Sequence, residues 1–141
     1  MVLTNTLRFI LAVLLPAVAS MILGMLWYGP LFGKAWVKLS GFTDKQIKAT
    51  KKKGMGKSYF VAFVNSLVMS FVLVLFVNSF TANLVGALFL SFLIWIGFIA
   101  TISLGSILWE GKSIKLYFIN VLYHLVNLAV MVAVIFGVLR I

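Results

Sequence analysis

The residues able to do chemistry in this chain gather in one stretch, Trp109 to Asn127, W-E-G-K-S-I-K-L-Y-F-I-N-V-L-Y-H-L-V-N. It holds Glu110, one of only two carboxylates, and His124, the single histidine. On a helix turning about 100° per residue, Tyr117, Asn120, Tyr123, His124 and Asn127 fall within about 120° of one another. They form a polar stripe in an otherwise apolar segment. His124 is the candidate acid or base of such a stripe, with Glu110 near its entrance as the second catalytic candidate. No nucleophile motif accompanies them. The chain has no cysteine, which excludes thiolate chemistry, disulfides and cysteine-ligated metal. One histidine and two acids are too few for a metal cage, and no cofactor is expected.

Both residues admit two readings. A carboxylate at a helix C-terminus meets the negative end of the helix dipole and needs a compensating partner. For Glu110 that partner is either a lysine at the interface, such as Lys112 or Lys115, or the His124 face. His124 lies roughly ten residues into its helix, about 15 Å deep at about 1.5 Å per residue. It either joins helices through Asn65, Asn120 or a backbone carbonyl, or it contacts a ligand or moves a proton in a cavity. Asn65 falls at a similar depth on another apolar segment. Tyr28, Tyr117 and Tyr123 would line the mouth. The ligand-binding set expected from sequence is therefore Tyr28, Asn65, Glu110, Asn120, Tyr123 and His124.

The elements that must position these residues follow from hydropathy. The chain is 64% hydrophobic with a mean hydropathy of +1.20, well beyond the roughly 45–50% apolar content of soluble domains. Arranged in long runs, this predicts an all-α integral membrane protein, a single domain over residues 1–141. The expected spans are 9–28, 58–78, 84–109 and 114–139, packed as an antiparallel four-helix bundle. The first run continues past Ala17-Val18-Ala19, so it is read as an uncleaved span rather than a signal peptide. Pro16 should kink it. Small residues recur as ridges along span one (Ala12, Pro16, Ser20, Gly24), span three (Gly97, Thr101, Gly105) and span four (Ala129, Ala133, Gly137). These ridges should face other helices. Trp95, Ser103, Ser106 and Glu110 make a more polar face on span three.

Between spans one and two lies a basic loop, residues 29–57. Tyr28-Gly29-Pro30 should end the first span. Leu31, Phe32, Ala35, Trp36 and Leu39 have the spacing of a short amphipathic helix lying in the headgroup region. Trp27, Trp36 and Trp109 are read as interface anchors. Thr43 and Gln46 fit a capping box, and Gly54 fits a cap after Lys51, Lys52 and Lys53. The net charge of +10 could suggest nucleic acid. Ten lysines, however, sit in the loop and in the turn carrying Lys112 and Lys115, against only Arg8 and Arg140 on the other side. That asymmetry points to the cytoplasmic side of a cell membrane, with both termini outside it. The expected partners are the bilayer and anionic headgroups at the loop, not nucleic acid.

G-M-L-W-Y-G-P-L-F-G-K-A-W from Gly24 to Trp36, W-E-G around Glu110 and I-N-V-L-Y-H-L-V after it resemble the signature of one family. It is a bacterial membrane family catalogued as domain-of-unknown-function family 1761. The resemblance spans nearly the whole chain. It implies a four-span membrane protein and brings no established activity, substrate or cofactor. Three functions therefore stay open. The first is a cytoplasm-facing cavity for a small amphipathic or lipid-like molecule. The second is a small transporter or channel, which with four spans would have to form a homo-oligomer. The third is a structural or accessory protein without a ligand.

Overall fold

The bilayer leaves helices or closed barrels as its spanning structures, because backbone polar groups find no water there. The computed structural model describes the backbone of residues 2–140 and the side chains of residues 5–139. It is 89% helical, with no strand among the described residues. Four helical stretches are long and apolar enough to cross a membrane: Asn5–Leu31, Gly56–Phe80, Leu84–Leu108 and Ile114–Leu139. The Arg140 side chain, used in the orientation argument, lies outside the described residues.

The first stretch is α1, Val2–Leu26, continued by a π-helical turn at Trp27–Leu31. The short α2, Gly33–Leu39, and the polar α3, Asp44–Lys53, come next. The second stretch is α4, Gly56–Phe80. The third is divided: α5, Leu84–Ile94, a second π turn at Trp95–Ala100, then α6, Thr101–Leu108. The last is α7, Ile114–Arg140.

Local sequence explains the boundaries. Thr43 and Gln46 form the reciprocal capping box of α3, with Gln46 N–H donating to Thr43 Oγ1 at 3.3 Å and Thr43 N–H to Gln46 Oε1 at 2.9 Å. Asn83 caps α5 through its side chain, which accepts from Gly86 N–H at 2.8 Å. Gly54 and Gly111 end α3 and the α6 segment at φ +80° and +64°, where a Cβ is disfavoured.

The first span does not stop at Tyr28-Gly29-Pro30 as the sequence suggests. Pro30 lacks an N–H and its ring crowds the preceding turn. The helix widens there instead, and Phe32 N–H reaches Trp27 O at 2.8 Å.

Contacts between α1 and α4, and between α1 and α7, run in opposite chain directions. Phe9 packs edge-on to Phe71, the Ser70 hydroxyl donates to Ala12 O, and Ser20 meets Ser66. Gly24 lies beside Tyr123, while Trp27 reaches Ile119. α7 is the central helix, packed on α1, α5 and α4. Its buried residues Leu128, Met131, Val132 and Ile135 form the core with Ala12, Leu73, Val74, Val77 and Ala87. All of these lie toward the end of the bundle remote from the lysine-bearing segments. Toward the lysine end two cavities open among the helices.

The small-residue ridges divide in the same way. On α1 the ridge is packed: Ala12, Pro16 and Ser20 are buried, and a Cβ on Gly24 would sit 3.2 Å from Tyr123 Oη. The ridges of spans three and four do not face close neighbours. A Cβ at Gly97 or Gly137 would meet nothing within 4 Å, and one at Gly105 would touch only Trp109. The expectation for those ridges is therefore corrected. Four-residue spacing is equally compatible with a face turned to lipid, and Gly97 and Thr101 are exposed.

Candidate functional site

Two aromatic residues at equivalent places hold the open end together. Trp27 and Trp95 each begin a π turn. The Trp27 indole N–H donates to Ile119 O at 3.1 Å and that of Trp95 to Val121 O at 2.7 Å. Spans one and three thus grip α7 from two sides, two residues apart. A π turn rotates the residues after it relative to an unbroken helix, and such turns recur at functional sites. After Trp27 this rotation directs Tyr28 at α7, where its hydroxyl donates to Asn120 Oδ1 at 3.2 Å. At the end of the second π turn, Ala100 O accepts from the Tyr117 hydroxyl at 3.1 Å.

Gly33 then allows α2 to fold back on the π turn. It is buried, and a Cβ there would lie 2.5 Å from the Tyr28 carbonyl oxygen. The result brings Trp36 against Tyr28, ring centroids 5.6 Å apart. Aromatic rings then continue in both directions. Tyr28 meets Tyr123 at 5.0 Å, Tyr123 meets His124 at 5.2 Å, and Trp36 meets Phe42 at 5.7 Å.

This aromatic wall separates two cavities. The larger, about 760 Å³, is bounded by Trp36, Leu39 and Phe42 on one side and by Ser103, Ser106, Lys112, Tyr117, Asn120 and His124 on the other. The second, about 670 Å³, lies between α1 and α4, with Met21, Met25, Met55 and Tyr59 among its lining and Asn65 at its side. Tyr28 and Trp36 line both. Trp36, expected as an interface anchor, is therefore half-buried cavity wall. Trp109 is 88% exposed, as an interface position allows.

The six residues expected to bind together do not all line one cavity. Tyr28, Asn120 and His124 share the larger cavity. Tyr123 and Asn65 line the second with Tyr28. Glu110 lines neither. Its carboxylate pairs with Lys112 Nζ at 2.6 Å, and both side chains are more than half exposed. Of its two sequence readings, the lysine at the interface is the one found. The physical reason is distance along the helix. His124 lies three turns up α7, while Gly111 turns the chain so that Glu110 stays with the lysines of the turn. Asn65 is carried past His124 by the face of α4 it occupies, and is exposed.

Asn127, the last residue of the stripe, goes elsewhere. It is 2% exposed, and its amide N–H2 faces the sulfurs of Met69 and Met131 at 3.7 and 3.5 Å. Its Oδ1 is buried with no hydrogen-bond partner among the described residues. No cluster of three or more histidine, cysteine or acidic side chains able to hold a metal occurs among the described residues.

Sequence reasoning missed Trp95 as a grip on α7 and the division into two cavities. The polar face it assigned to Ser103 and Ser106 was a usable signal, since both line the larger cavity.

No curated protein and no solved structure matches this chain. A family model does match, over residues 11–136, and carries the description protein of unknown function, DUF1761. The match includes every cavity-lining residue named above, and the chain belongs to that family.

Proposed function

We propose that the protein binds a small amphipathic or lipid-like molecule in the cavity beside His124. The observation that carries this reading is the composition of that wall. Tyr117, Asn120, His124, Ser103 and Ser106 converge on one space of about 760 Å³ whose opposite side is aromatic and aliphatic. Ligand sites combine apolar walls with a few convergent polar groups in this way, within a range of roughly 300–1,000 Å³. A polar stripe serving only to join helices would be closed by its own hydrogen bonds. Here Asn120 accepts from Tyr28, Tyr117 donates to Ala100 O and Ser106 to Ser103 O, while among the described residues the Asn120 amide N–H2 and the His124 ring are left to an occupant.

The lysine asymmetry supports an orientation in which the cavity end and the basic loop face the cytoplasm, with both termini on the opposite side of a cell membrane. The lysines of α3 then meet anionic headgroups.

A neutral photoactivatable monoacylglycerol in nanodiscs holding the protein tests the cavity. Crosslinks are expected on α2 and on the part of α7 around Tyr117 and His124. They should disappear in Ser106→Trp, which fills the space. Labelling spread evenly over the outer faces of all four spans, and unchanged by Ser106→Trp, would overturn the reading.

A further inference from the structure

The larger cavity has one charged group in its lining, Lys112. The chain has only two carboxylates, and Lys112 holds one of them, Glu110, which itself lies outside the lining. Lys112 therefore lies at the cavity rim, paired to a carboxylate that does not line the cavity. Both partners are more than half exposed, and an exposed pair is held weakly, by about 0–1 kcal/mol. Such a pair exchanges readily for another anion that brings further contacts of its own. Ser103 lines the same cavity as Lys112, and its hydroxyl can supply one, whereas the Ser106 hydroxyl already donates to Ser103 O at 2.8 Å.

The second cavity is of different character. Met21, Met25 and Met55 contribute to its lining, with Tyr59 and Ala62. Thioether side chains are flexible and polarizable, and they adapt to apolar partners of varied shape. Tyr28 and Trp36 line both spaces, so the two cavities meet at these rings. A head held at Lys112 and a flexible chain passing these rings would use both.

We infer that the ligand is a single-chain anionic amphiphile whose headgroup displaces Glu110 from Lys112 and whose aliphatic chain crosses the Tyr28–Trp36 partition into the methionine-lined cavity. The inference rests on the proposed cavity reading and adds the charge of the head, the place of the tail and the exchange at Lys112. Glu110 is then a stand-in for the ligand's anion. Its removal should strengthen binding, the opposite of what a catalytic or ligand-contacting carboxylate would show.

The experiment measures binding of oleate, lysophosphatidic acid and neutral monoolein to the full chain in nanodiscs, for wild type, Lys112→Met, Glu110→Gln and Ala62→Trp. Lys112→Met should weaken both anionic ligands about tenfold, the order expected for losing one charge-assisted contact. Glu110→Gln should tighten them severalfold. Monoolein should respond to neither change. Ala62→Trp, which occupies the second cavity, should weaken all three long-chain ligands and leave hexanoate unaffected. Oleate and lysophosphatidic acid, which share the anionic head, separate a carboxylate from a phosphate source by their relative affinity. Thermal unfolding of each variant identifies any that fails to fold, and Lys112→Gln then replaces Lys112→Met.

Monoolein binding that matches the anions in wild type, or anion binding that Lys112→Met leaves unchanged, would overturn the inference while leaving the cavity reading standing. Weakening of the anions by Glu110→Gln would overturn it as well. Absence of binding by all three ligands would remove both.

Discussion

The Tyr28 hydroxyl donates to Asn120 Oδ1 at 3.2 Å, tying the π turn at the end of the first span to the face of α7 that carries His124. This bond sets the spacing between the aromatic wall and the polar wall of the larger cavity. It also fixes the orientation of the Asn120 amide, whose N–H2 is left for the cavity. Tyr28→Phe keeps the ring and removes the donor. Interhelical hydrogen bonds in membranes are worth about 0.6 kcal/mol, with a maximum near 1.7. Tyr28→Phe should therefore lower stability by about 0.5–1.5 kcal/mol in detergent unfolding. It should weaken monoacylglycerol binding more than Tyr59→Phe does. Equal effects of the two changes would remove the role assigned to this bond.

Gly33 should tolerate no side chain. Its Cβ would lie 2.5 Å from the Tyr28 carbonyl oxygen, which is backbone and cannot swing aside. Gly33→Ala should cost about 1–3 kcal/mol, the range for overpacking, whereas Gly97→Ala and Gly137→Ala, with open space around them, should stay within about 0.5 kcal/mol. Thermal unfolding of the three variants checks the order, and a Gly33→Ala protein as stable as Gly97→Ala would show that α2 does not pack on the π turn as described.

Asn127 offers a test of opposite sign. Among the described residues its Oδ1 is buried and unpartnered, and its N–H2 has only thioether acceptors. Burying a polar group without a good partner is costly, so Asn127→Leu, of similar volume, should leave stability unchanged or raise it by about 1 kcal/mol. A loss of about 2 kcal/mol or more on chemical denaturation would mean that the amide has a strong partner after all.

Much of this fold could be read in the sequence because the bilayer imposes long apolar helices and lysines mark their loops. The capping box at Thr43 and Gln46 and the cap at Gly54 were equally legible, since each depends on residues close in sequence. The packed ridge of span one was legible too, but those of spans three and four were not. Gly97, Thr101 and Gly105 have helix-packing spacing, but spacing does not say which face meets a neighbour. The π turns escaped for a related reason. Pro30 marks a break, but whether the helix stops or widens there is not written locally, and the Trp27 indole at that turn is held by a carbonyl 92 positions away. Asn65 and His124 match in depth, but depth on two helices leaves their rotation open. Tyr28 and Trp36 consequently stand between the spaces these two residues line.

The proposed orientation rests on charge alone and can be measured separately. The chain has no cysteine, so single cysteines at Thr50 and at Ala82 are clean reporters. In intact cells an impermeant thiol reagent should label Ala82→Cys and spare Thr50→Cys, and the reverse pattern would invert the topology.

The central claim is that the space beside His124 holds a ligand, and an experimental density map of the protein in native lipid tests it most directly. Elongated density is expected in the cavity bounded by Trp36, Asn120 and His124, with one end near Lys112. A cavity closed by repacked side chains, with lipid density confined to the outer faces of the four spans, would contradict it.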